Sequence, residues 1–283
     1  MRKKNNNYKK INLVLIILSS LFILVLVVKG IFGGVNKTNN GLDFKFGVIN
    51  KDGLELVSIS NERKMINSLI VNGDVKVWSA SEDKWIESRD LWNMSKNDDK
   101  VLKNIFWYNF GFNADKILVF EQKEQWKNDF NLIKIIGVKN WIKYRIDSDQ
   151  MLFKKENLDK SLKEEESFLD EVMSRDFADS KLVNEETRLS IFNTTSEEGL
   201  ANFISKRLEW SGFLVIGSST SEEKVDKCLI LYGDEVETSF GWQVINKVFD
   251  CEKKYDGGLN KGEMELYFGD NFATMIKYSE YIK

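Results

Sequence analysis

The hydrophobic pattern divides the chain into one long apolar run and a longer stretch where short apolar runs alternate with helical stripes. The long run extends from Leu13 to Val28 and is broken only by two serines. Roughly 20 mostly apolar residues suffice to cross a bilayer, so residues 11–33 are predicted to form a transmembrane helix. The remainder is predicted to be α/β, because it contains both strand-like runs and stripes of helical period.

Positive charge precedes the predicted transmembrane helix. Residues 1–10 contain five basic side chains and no acidic one, and such charge stays in the cytoplasm. We therefore predict a single-pass protein of the cell membrane, with a cytoplasmic tail at 1–10 and its bulk extracytoplasmic. A cleaved signal peptide is the alternative. The apolar run is longer than the roughly 7–15 residues usual for one, although Gly33-Gly34 leaves cleavage open.

A polar linker at 34–41 precedes a first α/β region at 42–155. Strands are predicted at 44–48, 54–59, 68–71, 75–78 and 116–120, with Asn72-Gly73 as a turn between the third and fourth strands. A helix is predicted from Asp98 to Phe110, because its apolar residues fall on one stripe. Gly111 is suited to end this helix in the left-handed region.

An acidic connecting helix is predicted within residues 156–187, and its Glu164-Glu165-Glu166 run is interpreted as a solvated face. Residues 188–283 then show the order β-α-β-β-α-β, typical of a small α/β module. Thr195-Ser196-Glu197-Glu198 matches a capping box before the first helix of this module, and Gly212 is suited to end that helix. Its strands are predicted at 189–192, 213–216, 229–232 and 264–268, and its second helix at about 239–249.

Charge and composition exclude several functions. Residues 1–40 hold seven basic groups and no acidic one, so the rest of the chain has 34 basic and 44 acidic groups, a net charge of −10. Nucleic acid is therefore not expected as a partner. The chain has no His, which removes Ser-His and Cys-His pairs and His metal ligands. Chemistry based on carboxylates, Arg or Lys stays open.

The C-terminal module resembles the domain that follows the catalytic domain in LytR-CpsA-Psr envelope proteins. The resemblance covers about residues 188–272 and rests on the order and spacing of several short segments. Thr194 and Asn271 depart from the commoner Gly and Asp of the family. The matching segments are Leu189-Ser190-Ile191-Phe192-Asn193-Thr194-Thr195, Gly199-Leu200-Ala201, Gly212-Phe213-Leu214-Val215-Ile216 and Glu265-Leu266-Tyr267-Phe268-Gly269.

Residues 42–155 resemble a degenerate form of the family's catalytic domain, through segments at 57–59, 70–77 and 110–116. The resemblance implies enzymes that transfer phosphate-linked glycopolymers to peptidoglycan, with clustered Arg for the pyrophosphate and Asp for a divalent metal. The family's Arg segments are not found here, and Arg63, Arg89 and Arg145 are isolated in sequence. We therefore assign no catalytic residue, no cofactor and no metal ligand.

Three groups of side chains are candidates for specific roles. Cys228 and Cys251 are the only cysteines, and a disulfide between them is favoured in an oxidising compartment, with buried free thiols as the alternative. Trp78, Trp85 and Trp92 recur every seven residues, which leaves core packing and sugar stacking as alternatives. Four acidic residues in the first region are candidate ligands of a hard cation, with surface exposure as the alternative. They are Asp74, Asp98, Asp99 and Asp115.

The sequence thus favours a membrane-anchored, non-catalytic cell-envelope protein that binds or scaffolds at the cell wall or its glycopolymers. A divergent phosphotransferase attaching glycopolymers to peptidoglycan is the first alternative. The second is an assembly factor that binds another envelope protein.

Overall fold

Two five-stranded sheets, each with helices against it, and one two-stranded hairpin form the described part of the protein. The computed structural model describes residues 44–60, 63–79, 84–94, 99–121, 140–146, 169–185 and 187–275. All of them belong to one compact unit that spans residues 42–283. The predicted α/β class is therefore confirmed. The basic tail, the transmembrane helix at 11–33 and the linker lie outside the described residues. No described helix is long and apolar enough to cross a membrane.

The first sheet has an antiparallel centre and two parallel edges, in the order β6-β1-β2-β3-β7. Its three central strands pair antiparallel, with a two-residue turn between β1 and β2, whereas β6 and β7 run parallel to β1 and β3. Its strands are β1 (Phe44–Asn50), β2 (Gly53–Ser60), β3 (Met65–Asn72), β6 (Lys116–Val119) and β7 (Asn140–Ile146).

Helix α2 (Asp99–Phe110) covers one face of this sheet, because the predicted stripe points inward. Ile105, Phe106 and Phe110 of that stripe are buried in a core that also contains strand residues such as Leu56 and Leu69. Gly111 ends the helix at φ 59°, as predicted. A short hairpin and helix adjoin the same core. They are β4 (Lys76–Ser79), β5 (Lys84–Glu87) and α1 (Leu91–Met94).

The second sheet belongs to the C-terminal module and has the order β11-β10-β12-β8-β9. Three of its four pairings are parallel, and the pair β10–β12 is antiparallel. The strands are β8 (Arg188–Asn193), β9 (Leu214–Thr220), β10 (Cys228–Tyr232), β11 (Glu252–Tyr255) and β12 (Glu263–Phe268). The helices are α4 (Leu200–Ser211), α5 (Phe240–Val248) and α6 (Asp270–Met275).

Only the C-terminal part of the predicted connecting helix lies within the described residues. Residues 156–168 lie outside the described residues. The chain is then helical from Leu169, including a π-helical turn at Met173–Phe177, and α3 (Ser180–Glu185) follows.

Of two local predictions, one was wrong and the other is confirmed. Thr195 does not cap a helix: its hydroxyl accepts from the Glu197 amide, and Asn193 Oδ1 accepts from both the amide and the hydroxyl of Thr195. The helix instead begins after Gly199, which has φ 86°. The predicted turn at Asn72-Gly73 is confirmed: the Val75 amide donates to the Asn72 carbonyl at 3.0 Å, and the chain continues into β4, which pairs with β5.

Side chains cross between the two hydrophobic cores where α2 meets α4. Trp107 and Tyr108 of α2 are buried in the core of the second sheet, whereas Trp210 of α4 is buried in the core of the first. Arg207 is 3% exposed, and its Nε donates to the Tyr108 carbonyl at 3.2 Å. The Ser211 hydroxyl donates to the Gly111 carbonyl at 2.6 Å. Buried hydrogen bonds and shared aromatic residues therefore join the two helices directly.

Candidate functional site

A disulfide joins Cys228 and Cys251, as the sequence predicts, with the two Cα atoms 4.9 Å apart. Cys228 begins β10, and Cys251 directly precedes β11, which pairs in parallel with β10. The bond therefore closes the β10-α5-β11 crossover at the ends where its two strands begin. Both residues are buried, so the bond stabilises the module and is not exposed to a substrate.

The three regularly spaced tryptophans have different environments. Trp78 is fully buried in β4. Trp92 is partly buried against the core of the first sheet, and the Lys51 ammonium lies 5.4 Å from its ring centroid. Trp85, opposite Trp78 in the hairpin, is half-buried at the surface. The core-packing interpretation is thus confirmed for Trp78 and Trp92. Trp85 lies at the surface, where a ligand can reach its ring.

Buried hydrogen bonds fix the hairpin that carries Trp85. Asn109, 1% exposed on α2, accepts from the Trp78 amide at 2.8 Å and donates to the Trp78 carbonyl at 3.0 Å. Its amide nitrogen also donates to the carbonyl of Ile105 at 2.8 Å. The rings of Trp78 and Trp85 meet edge to face, with centroids 5.6 Å apart. The indole of Trp85 is therefore supported from the core, through Trp78 and Asn109.

Trp85 lines a surface cleft of about 450 Å³, which we call the Trp85 cleft. This volume falls within the roughly 300–1,000 Å³ of typical ligand sites. The cleft lies along the β4–β5 hairpin and α1 and combines an aromatic ring with carboxylate, amide and ammonium groups. Its lining residues are Lys76, Lys84, Trp85, Ile86, Glu87, Asp90, Asn93 and Met94.

Charge in the Trp85 cleft is mixed. Lys76 lies directly opposite Glu87 in the hairpin, and Arg89 forms an ion pair with Glu87 at 2.6 Å. Asp90 and Asn93 add acceptors and an amide donor on the side of α1. The cleft can therefore bind hydroxyl-rich ligands through several donors and acceptors without a strong preference for either sign of charge.

The acidic candidates for a cation site have other contacts. Asp99 forms an ion pair with Lys103 at 2.6 Å, and Asp115 accepts from the Lys45 amide at 2.9 Å. Asp74 lies in the turn before β4, and Asp98 lies outside the described residues. Burial raises the pKa of the Asp115 carboxyl. Within the described ranges, no three acidic or cysteine side chains come together as metal ligands.

A polar network at the π-helical turn was not predicted from the sequence. The Tyr144 hydroxyl donates to Asp176 Oδ2 at 2.6 Å, and Arg175 Nη2 donates to the same oxygen at 2.8 Å. Burial, and next the hydrogen bond to Asp176, raise the pKa of Tyr144. Arg175 Nη1 also pairs with Glu171. The network joins β7 to a helix about 30 residues later, and no local motif in the sequence marks it.

Two of the three arginines of the first region contact acceptors within the protein. Arg63 donates through Nη1 to the carbonyl of Arg175 at 3.4 Å, and Arg89 pairs with Glu87. Arg175 itself faces two carboxylates, Glu171 and Asp176. Its guanidinium donors are thus directed at protein acceptors, whereas a bidentate clamp presents them to phosphate oxygens.

The described residues define an α/β protein with a disulfide-closed C-terminal module and a supported aromatic cleft. Comparisons of the chain with protein-family models, with curated proteins and with solved structures find no match.

Proposed function

We propose that this chain is a membrane-anchored, non-catalytic protein of the cell envelope that binds a wall glycopolymer in the Trp85 cleft. The observation that carries the proposal is the half-buried Trp85 ring, supported from the core and set among Glu87, Asp90 and Asn93.

An aromatic face beside carboxylate and amide groups suits a sugar. The axial C–H groups of a pyranose pack on an indole face, while its hydroxyls donate to carboxylates and exchange hydrogen bonds with an amide. Trp85 rests on buried Trp78, which Asn109 holds by two hydrogen bonds. Little side-chain freedom is therefore lost when a ligand stacks on Trp85, which favours affinity.

Two further features support a place in the envelope. The Cys228–Cys251 disulfide is suited to an oxidising, extracytoplasmic compartment. The apolar segment at 11–33 with its basic tail supports an anchor, and the resemblance of residues 188–272 to the LytR C-terminal domain supports the cell wall as the setting.

The phosphotransferase alternative has less support. Transfer from a lipid pyrophosphate requires cationic groups directed at the phosphates. Arg175 of the π-helical turn contacts Glu171, Asp176 and Tyr144 instead. Incubation of the chain with a polyprenyl-pyrophosphate sugar donor, a wall acceptor and magnesium or manganese should therefore give no transfer.

Retention on purified peptidoglycan tests the proposal, with sacculi that carry their glycopolymer compared against stripped sacculi. Trp85→Ala should weaken retention on loaded sacculi about two- to tenfold, since a stacked aromatic ring contributes on the order of 0.5–1.5 kcal/mol. Tyr255→Ala is the matched control, because Tyr255 is an exposed aromatic residue on the far edge of the second sheet. Equal retention of Trp85→Ala and the parent chain would refute the cleft as the binding site. Capture of an envelope protein by a chain that does not bind sacculi would favour the assembly-factor alternative.

A further inference from the structure

The two edge strands of the second sheet differ in how they are protected. An open strand edge offers unpaired amides and carbonyls to any other chain, and proteins usually guard it with charged residues. β11 reads Glu-Lys-Lys-Tyr, so three of its four residues are charged. β9 reads Leu-Val-Ile-Gly-Ser-Ser-Thr, with no charge and no proline in seven residues. Only β11 is guarded in the usual way.

The unguarded edge is also exposed and apolar at one end. Six of the seven β9 residues are exposed. Leu214 and Ile216 are 44% and 52% exposed, and Val183 of α3 is 51% exposed. Val183 lies beside Gly212, the residue that leads into β9. Among the described strands β9 pairs only with β8.

A bulge near Ile216 modifies this edge without ending it. Val215 pairs with Leu189 and Gly217 with Ser190, so Ile216 is the extra residue. Regular pairing with β8 then continues through Thr220. A bulge is one way to discourage edge pairing, but here the extra residue is an exposed isoleucine, and four regularly paired residues extend beyond it.

We infer that β9 is an interaction edge and that its partner is β9 of a second copy of this chain, paired antiparallel about a twofold axis near Ile216. A twofold axis places one patch against itself, so the two Ile216 side chains would meet each other and Leu214 of each copy would lie opposite Ser218 of the other. The pairing would join two five-stranded sheets into one continuous ten-stranded sheet.

Charge favours a second copy at this edge. Residues 187–275 contain nine basic and 15 acidic side chains, a net charge of −6, which opposes self-association over most of the module. The run from Trp210 to Ser221 is twelve residues without charge, and β9 lies within it. Two copies can therefore meet along β9 without bringing like charges into direct contact.

The interface is small. Three apolar side chains and one strand edge per copy bury less than the roughly 800 Å² per partner of a standard interface. We therefore expect a weak dimer in solution that becomes prominent at high local concentration, as for chains held in one membrane. The dimer does not depend on the Trp85 cleft, so Trp85→Ala should leave it unchanged.

Site-specific cross-linking of the full-length chain tests this pairing. The chain's own two cysteines are bonded to each other, so one introduced cysteine supplies the reactive thiol. Ile216→Cys, near the proposed axis, should give a reducible dimer upon mild oxidation. Tyr255→Cys is the matched control, because Tyr255 is also 52% exposed and lies on the opposite edge strand. The Tyr255→Cys variant should remain monomeric on non-reducing gels. Peptide mapping should show the 228–251 bond intact in both variants.

A charged substitution provides the second measurement. Ile216→Lys should shift the sedimentation of the concentrated full-length chain toward monomer, whereas Tyr255→Lys should leave the parent distribution unchanged. Equal cross-linking at 216 and 255, or a dimer unaffected by Ile216→Lys, would overturn the inference. Cross-linking at 216 only to another envelope protein would also overturn it, since the edge would then serve a different partner.

Discussion

Removing the Cys228–Cys251 bond should destabilise the protein without changing its fold. In the chain-entropy description, a disulfide restricts the unfolded chain in proportion to the logarithm of the loop it closes. The two cysteines are 23 residues apart in sequence. A loop of this length corresponds to about 3 kcal/mol at 25 °C. For a unit of this size, that loss lowers the melting temperature by roughly 6–12 °C.

Urea denaturation of oxidised protein, reduced protein and the Cys228→Ala/Cys251→Ala variant measures this effect. Reduction leaves both sulfur atoms in the core, so it isolates the crosslink, while the double variant adds the loss of two buried sulfurs. The urea midpoint should fall in both cases. The slope of the transition should rise, because the uncrosslinked unfolded chain exposes more surface. Reductant should not affect the double variant.

Equal urea midpoints for oxidised and reduced protein would refute the chain-entropy account, because the unfolded chain would then not be restricted by the loop. A reduced protein that loses its second sheet under native conditions would refute the expectation of an unchanged fold. The bond, rather than the burial of the helices on the sheet, would then hold the module together.

Three further predictions concern single residues. Gly111→Ala should lower the free energy of unfolding by more than about 2 kcal/mol in urea denaturation, because a Cβ at φ 59° would be strained and would also overlap the Arg207 carbonyl. Gly262→Ala is the control, since Gly262 has φ 77° but nothing near its Cβ, and it should lower the free energy of unfolding by only about 1 kcal/mol. Asn109→Ala should cost roughly 2–3 kcal/mol and alter the near-UV circular dichroism of Trp78, since it leaves buried main-chain groups of β4 unpaired. Burial raises the pKa of Asp115, so above about pH 4 the folded state keeps a proton on this carboxyl that the unfolded state has lost. The free energy of unfolding should therefore fall as the pH rises from about 4 through the folded-state pKa, and the urea midpoint of Asp115→Asn should lack this fall.

Helices whose signal lies in a contiguous segment were predicted well. The stripe of α2 and its terminal glycine at 111 both lie within a short window, and the structure places them as expected. The same holds for α4, which ends at Gly212 with φ 111°. Local periodicity suffices in these cases, because the residues that form the buried face are the ones that define the pattern.

Predictions failed where one local hydrogen bond competes with another. Thr195 and Glu198 have the spacing of a capping box, but the amide and the hydroxyl of Thr195 both donate to the Asn193 side-chain oxygen. Asn side chains favour such turns, and the turn delays the helix until Gly199. The spacing of residues in the sequence does not indicate which of two neighbouring polar side chains accepts a hydrogen bond from a given backbone amide.

Features that depend on contacts between residues far apart in the sequence could not be predicted from the sequence. β11 is exposed at all four residues and has no apolar alternation, so only its pairing with β10 makes it a strand. The Tyr144–Asp176 hydrogen bond spans 32 residues, and the support of Trp85 by Asn109 depends on how α2 packs. The regular spacing of the three tryptophans likewise did not indicate which one would line a cleft.

The exchange of aromatic residues between α2 and α4 has a consequence for the order of events during synthesis. The core of the first sheet includes Phe177 and also Trp210, which follows β8 in the chain and is therefore synthesised later. While the chain emerges from the ribosome, that core stays incomplete until α4 has been synthesised. Trp107 and Tyr108 must in turn wait for the last strand, β12, which completes the core that buries them. Although domains commonly fold from the N-terminus as they appear, this chain keeps apolar surface open until nearly its whole length has been delivered.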